Sequence, residues 1–157
     1  MCTPGAKVVV GDGRLTLAEA AGSYDLIVLD AFSSDSVPVH LLTREALAMY
    51  AAKLAPGGAI IFNISNRYMA LDAVVGRSAA ANGLLALHAA DKPSATDFKE
   101  RLSSAAIVAV VARREEHFGG IAASEPWRRA ETQPASRTWT DDYSNIIDPI
   151  ARKLGWR

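Results

Sequence analysis

Four consecutive apolar residues, Leu26-Ile27-Val28-Leu29, run without interruption into a carboxylate, Asp30. A strand with no polar alternation is one covered on both faces, as central strands of parallel α/β sheets are. Asp30 then falls at the carboxyl end of that strand, the side on which open α/β sheets bind ligands. A second acid, Asp35, follows five residues later. Two carboxylates in one short loop suit a cationic ligand, or a proton that has to be removed.

The remaining elements follow from the same kind of pattern. Lys7–Val10 is short and β-branched and is stopped by Gly11-Asp12-Gly13, which predicts a strand running into a turn. A short helix is expected at about Leu15–Ala21, closed by Gly22, and then the strand Asp25–Leu29. Thr43 is placed to N-cap a helix reaching about Leu54, with Leu47, Tyr50 and Leu54 on one face, and Pro56-Gly57-Gly58 ends it. Ala59–Ile64 reads as a second buried strand. Asn66 is expected to cap a helix that turns Leu71, Val74, Val75 and Ser78 inward and stops at Asn82-Gly83. Leu84–His88 and Ala105–Ala112 are two further strands, and the polar stretch Asp91–Ser103 between them has no helical pattern, so an antiparallel pair is expected. Glu115–Ser136 is polar and carries Pro126 and Pro134. Trp139–Gly155 reads as a terminal element packing through Trp139, Tyr143, Ile146, Ile147 and Ile150. Alternating strands and helices argue for an α/β layer structure with a mainly parallel sheet.

At 157 residues the chain fits one domain, able to bury roughly 70% of its unfolded surface without disulfides or metal. Seventeen basic residues balance 17 acidic ones, so no field of one sign recommends nucleic acid or an anionic membrane. The single cysteine, Cys2, has no partner in the chain, and His40, His88 and His117 are too scattered for a metal site. The apolar runs are far shorter than the roughly 20 residues a membrane span needs. The expectation is a soluble, cytoplasmic chain without nucleic-acid or membrane partners.

Each candidate residue also has a purely structural reading. Asp30 would either face a ligand or cap neighbouring amides, and its place at the end of a buried strand favours the ligand. Asp35, among Ser33, Ser34 and Ser36, either joins it or caps the turn toward Pro38. Asp12 is an N-cap or a nucleotide contact. Gly11-x-Gly13 is a poor dinucleotide fingerprint, since Thr16 stands in the third glycine's place. Asp141 and Asp142 read better as acids at a helix start than as charges at a site mouth. His40 and the pairs Arg113-Arg114 and Arg128-Arg129 read as solvated surface.

Taken together, Val10-Gly-Asp-Gly-Arg14, the segment Tyr24–Thr43, the turn Leu54-Ala-Pro-Gly-Gly58 and Trp139-Thr-Asp-Asp-Tyr143 resemble the spermidine synthase-like branch of the class I S-adenosylmethionine-dependent methyltransferase fold. The resemblance spans about Lys7 to Ile150 and is nearest to bacterial spermidine synthase-related proteins. It implies that Lys7–Val10 is the third strand and Tyr24–Asp30 the fourth of a Rossmann-like sheet that ends in an antiparallel strand. It also implies that Asp12, with the Gly13 backbone, meets the adenine of decarboxylated S-adenosylmethionine. Asp30 matches the first aspartate of the family's Asp-x-x-Asp-Pro signature, which faces the attacking amine, and Asp35 is the best match for the second. Here the segment reads Asp-Ala-Phe-Ser-Ser-Asp-Ser-Val-Pro, two residues longer, with the proline displaced.

The activity so implied is transfer of an aminopropyl group from decarboxylated S-adenosylmethionine, a co-substrate rather than a tightly bound cofactor, to a polyamine such as putrescine. Methyl transfer from S-adenosylmethionine and a non-catalytic binding or assembly module are the alternatives. Only six residues precede Lys7, too few for the resembled fold's first two strands, so a single partial domain over 1–157 is expected. Either Lys7–Val10 then moves beside Asp25–Leu29, or another chain covers that edge, and the expectation is a homo-oligomer formed through the exposed sheet edge.

Overall fold

A computed structural model describes residues 5–31, 38–91, 105–132 and 137–156 of the chain. Within them α1 (Gly13–Glu19) leads into β1 (Tyr24–Leu29), and a 3-10 turn at Val39–Leu41 precedes α2 (Arg44–Lys53). Then come β2 (Leu54–Asn63), α3 (Asp72–Ala80), β3 (Leu85–Asp91) and β4 (Ala106–Ala112). A kinked 3-10 segment, Glu115–Ala123, leads to the short β5 (Arg128–Arg129), and α4 (Ile147–Lys153) follows. No helix among the described residues is long and apolar enough to cross a membrane.

The sheet among these residues has the order β1-β2-β4-β3-β5. β1 and β2 pair in parallel, while β4 is antiparallel to both of its neighbours, so β1, β2 and β3 all run one way. This is the α/β layer expected, with the last long strand reversed and inserted between β2 and β3. The expectation that Leu26–Leu29 is covered on both faces is corrected: β1 ends the sheet among the described residues, burying Ile27 on one face and leaving Leu26 and Val28 exposed on the other. In register, Ile27 stands beside Ile60 and Leu29 beside Phe62. That face carries the main core, in which Leu47 and Tyr50 of α2 and Val74 and Val75 of α3 pack on Ile60, Phe62 and Val111. The opposite face holds a smaller cluster of Leu87, Val110, Ala112 and Phe118.

Local chemistry accounts for the element ends. Thr43 caps α2 as expected, its hydroxyl accepting from Ala46 N. At the other end Arg113, expected as solvated surface, donates to the carbonyls of Ala51, Leu54 and Ala55 at 2.6–3.1 Å. A helix leaves its last carbonyls unpaired, and a guanidinium carries enough donors to serve all three. Pro56-Gly57-Gly58 does not end a helix ahead of the strand; it lies inside β2 as a bulge, between the pairs Tyr24–Leu54 and Leu26–Ala59. Gly58 is required there, because a Cβ would stand 2.8 Å from Tyr24 O and 3.0 Å from Asp25 O.

Three further expectations are corrected. Lys7–Val10 forms no strand: no neighbouring ladder takes it among the described residues, and β propensity without a partner leaves the segment irregular and exposed. Asn66 caps a turn, accepting from Tyr68 N and Met69 N, and α3 starts six residues later at Asp72. In the terminal element Trp139 is buried as expected, but Ile146 and Ile147 are exposed and α4 buries Asp148, Pro149 and Ala151. The inward side of α4 is set by an ion pair, Asp148 to Arg77 of α3 at 3.1 Å, rather than by its largest apolar residues.

Candidate functional site

Asp30 follows the last residue of β1 at the carboxyl edge of the sheet, where its exposed carboxylate accepts from Asn63 Nδ2 at 2.8 Å through Oδ1. Asn63 is itself the last residue of β2, so two adjacent parallel strands deliver the acid and its partner side by side. The amide is fixed in turn, because Asn63 Oδ1 accepts from Ser65 N at 3.1 Å and Ser65 Oγ at 2.6 Å. Ser65 Oγ accepts from Ile107 N at 2.9 Å, which anchors the relay to β4. An exposed acid oriented through one oxygen is suited to hold an ammonium group or accept a proton.

A second polar cluster surrounds the start of α1. Asp12 is its N-cap, Oδ1 accepting from Arg14 N and Leu15 N at 2.9 Å each. These backbone bonds, that from Leu15 foremost, hold the carboxyl below the usual aspartate range, helped by His40 and Arg14 nearby. His40 Nε2 lies 3.5 Å from Asp12 Oδ2, so this histidine is partnered rather than merely solvated. Arg14 reaches outward, donating to His40 O at 2.8 Å and to both oxygens of Asp141 at 2.7 Å. Asp141 Oδ1 also accepts from Thr43 Oγ1 at 2.7 Å, and Asp141 N donates to Glu45. Tyr50 OH is buried here without a hydrogen-bond partner, and burial pushes its pKa up. The segment around Asp141 is therefore a turn clamped onto α1 and α2, with a bridge between Thr140 and Tyr143, and not the helix start expected. Beside it lies an open hollow of about 500 Å³, walled by Val39, His40, Asp142 and Tyr143.

The clamp has a pH signature. Hydrogen bonding to Arg14, and then to Thr43, brings the Asp141 pKa down from 3.8 to about 2. A carboxylate depressed on folding stabilises the native state above its unfolded pKa, and that contribution is lost as pH falls through the folded value. Asp141→Asn is therefore expected to be less stable than the parent at neutral pH, with the gap closing between about pH 4 and pH 2. With Asp141 43% exposed, solvent screening limits the difference to about 1 kcal/mol or less. Urea unfolding across that range measures it, and a gap independent of pH would refute the clamp's charge dependence.

The structure thus places Asp30 at the strand end as read from the sequence, and Asp12 with Gly13 at the first turn of α1. Asp35 lies outside the described residues. No hydrogen bond among the described residues joins Asp12 to Asp30: the first bonds within α1 and approaches His40, the second bonds to Asn63. Asn63 and Ser65 carry no expectation from the sequence, Arg14 enters it only as the last residue of the Val10–Arg14 motif, and His40, expected as solvated surface, is instead placed beside Asp12. Asn63 carried one usable signal, since it ends an apolar strand just as Asp30 does.

No protein-family model matches the chain. Among curated proteins it is 37% identical over 60 residues to a polyamine aminopropyltransferase of Vibrio vulnificus (strain CMCP6), covering 36% of this chain and 20% of that protein. It is 33% identical over 58 residues to a probable polyamine aminopropyl transferase of Bifidobacterium longum (strain NCC 2705), covering 37% of the chain and 13% of the relative. In structure it resembles a probable spermidine synthase from Corynebacterium glutamicum ATCC 13032, with a TM-score of 0.53 at 15% identity, over 89% of this chain and 56% of that one. The matches therefore span only a part of each relative. Partial sequence similarity to aminopropyltransferases and a shared fold lead to one statement: this is a spermidine synthase-like chain with a Rossmann-like α/β fold.

Proposed function

We propose that the chain carries the amine-binding carboxylates and part of the nucleoside contacts of a polyamine aminopropyltransferase site, with decarboxylated S-adenosylmethionine as co-substrate. The observation that supports this reading is Asp30, exposed at the carboxyl end of β1 and held by Asn63 through one oxygen. In the reaction the primary amine attacks the methylene next to the sulfonium, the new C–N bond forms as the C–S bond breaks, and methylthioadenosine leaves. The nitrogen's proton passes to the Asp30 carboxylate. Because the sulfonium is already a good leaving group, catalysis consists chiefly of aligning nucleophile and carbon. Asp35 is proposed as a second acid for the ammonium groups. Asp12 and Gly13 are proposed for the nucleoside, with Asp12 Oδ2 available once it exchanges His40 for an adenine amino group.

Calorimetry with decarboxylated S-adenosylmethionine, S-adenosylmethionine and methylthioadenosine tests this reading. Binding of the first and third is the expected result. Binding of S-adenosylmethionine alone points instead to methyl transfer, and silence from all three to a binding or assembly module; either overturns the proposal for this chain.

A further inference from the structure

The polarity of the hydrogen bonds behind Asp30 is set from the backbone outward, and it leaves one arrangement. Two of the donors are backbone N–H groups, which cannot accept: Ser65 N on the side-chain oxygen of Asn63 at 3.1 Å, and Ile107 N on Ser65 Oγ at 2.9 Å. The Asn63 atom that meets Ser65 N is therefore the amide oxygen, and the amide nitrogen is the end turned to Asp30. Ser65 Oγ, already accepting from Ile107, gives its own proton to the same Asn63 oxygen at 2.6 Å. A flipped amide would set its NH2 against the Ser65 donors and its oxygen against the Asp30 carboxylate, losing bonds at both ends.

The anchor of this order lies outside the two strands that carry the acid and its partner. β1 delivers Asp30 and β2 delivers Asn63, whereas Ile107 belongs to β4 and its carbonyl also accepts from Ile64 N at 2.8 Å. Ile64 and Ser65, the two residues that follow β2, are thus bonded to a single residue of β4. No hydrogen bond among the described residues joins Ser65 to Asp30, so any influence of the hydroxyl on the acid passes through Asn63.

We propose that Ser65 is a positioning residue for the transfer reaction: by holding Asn63 in one orientation it sets the angle at which the Asp30 carboxylate meets the attacking amine. This rests on the aminopropyl-transfer reading above and adds to it a residue that acts on the acid at one remove. Where catalysis is chiefly alignment, a displacement of about 1 Å costs up to about 10²-fold, so a relay that fixes an angle has kinetic weight.

Methylthioadenosine release with putrescine as acceptor is measured for the full chain and for Ser65→Ala, Ser65→Thr, Asn63→Ala and the double variant Asn63→Ala with Ser65→Ala. Calorimetric titration with methylthioadenosine counts the folded sites, so turnover is expressed per site and loss of folded protein drops out. Ser65→Ala should lower kcat by about tenfold and leave methylthioadenosine affinity within about twofold, because Asp12 lies in a separate hydrogen-bond cluster. Ser65→Thr keeps the hydroxyl and should recover most of the loss. Adding Ser65→Ala to Asn63→Ala should cost nothing further, since the two residues act in series.

A Ser65→Ala chain with the parent's kcat, a Ser65→Thr chain as slow as Ser65→Ala, or a double variant slower than Asn63→Ala by the whole Ser65→Ala factor would each overturn the positioning role and leave the aminopropyl-transfer reading standing. A parent chain without turnover overturns that reading, and the role of Ser65 falls with it.

Discussion

Replacing Asp30 by Asn is expected to lower aminopropyl transfer by about 10²–10⁴-fold while nucleoside binding stays near the parent value. The substitution keeps the size of the side chain and an oxygen able to accept from Asn63 Nδ2, so the relay through Ser65 to β4 survives. What it removes is the charge proposed to hold an ammonium group and the basic oxygen proposed to take the proton. Turnover is followed as methylthioadenosine release with putrescine as acceptor, and binding of methylthioadenosine by calorimetry separates a chemical defect from a folding one. Asn63→Ala makes the useful companion: it leaves the acid but frees its orientation, and a smaller loss is expected. Turnover retained in Asp30→Asn would remove Asp30 from the mechanism. Equal loss of nucleoside binding would make it a structural residue.

The placement of Asp30 was legible because an uninterrupted apolar run of this length reads as a strand, and the residue after it then has a determined position on the sheet; that the run would be covered on both faces was not borne out, since β1 ends the sheet among the described residues and exposes Leu26 and Val28. The partners of that residue were not legible in the same way. Asn63 lies 33 residues from Asp30, and Asp141 lies 127 residues from Arg14, so neither pair leaves a spacing signature. Local pattern misled where tertiary contact decides the outcome. Pro56-Gly57-Gly58 has the composition of a turn, yet the close approach of Tyr24 O makes it a bulge within a strand. Lys7–Val10 has the composition of a strand, yet no strand stands beside it. At the start of α4 the apolar Ile146 and Ile147 are the anchors the composition suggests, yet both are exposed and a buried charge pair takes their place.

That charge pair gives the largest stability effect expected of a single substitution. Arg77 and Asp148 are 3% and 1% exposed and meet at 3.1 Å. The same Asp148 oxygen accepts from Arg152 Nε at 3.3 Å, and Arg152 continues to Glu131 at 2.6 Å. Arg77 NH1 is buried with no hydrogen-bond partner, so its guanidinium already sits at the limit of what the site compensates. Removing Asp148 strands a buried guanidinium, which cannot shed its charge as a lysine would. Asp148→Ala is therefore expected to destabilise the chain by about 3–5 kcal/mol, a large share of the 5–15 kcal/mol that holds a typical domain together. Arg152→Ala should cost much less, since its head group lies nearer to solvent. If burial of unpaired charge is the cause, the double substitution Arg77→Met with Asp148→Leu should recover most of the loss. Urea unfolding of the three variants decides between the two causes: a double variant as unstable as Asp148→Ala would mean that the pair holds α4 by its geometry and not by its charge.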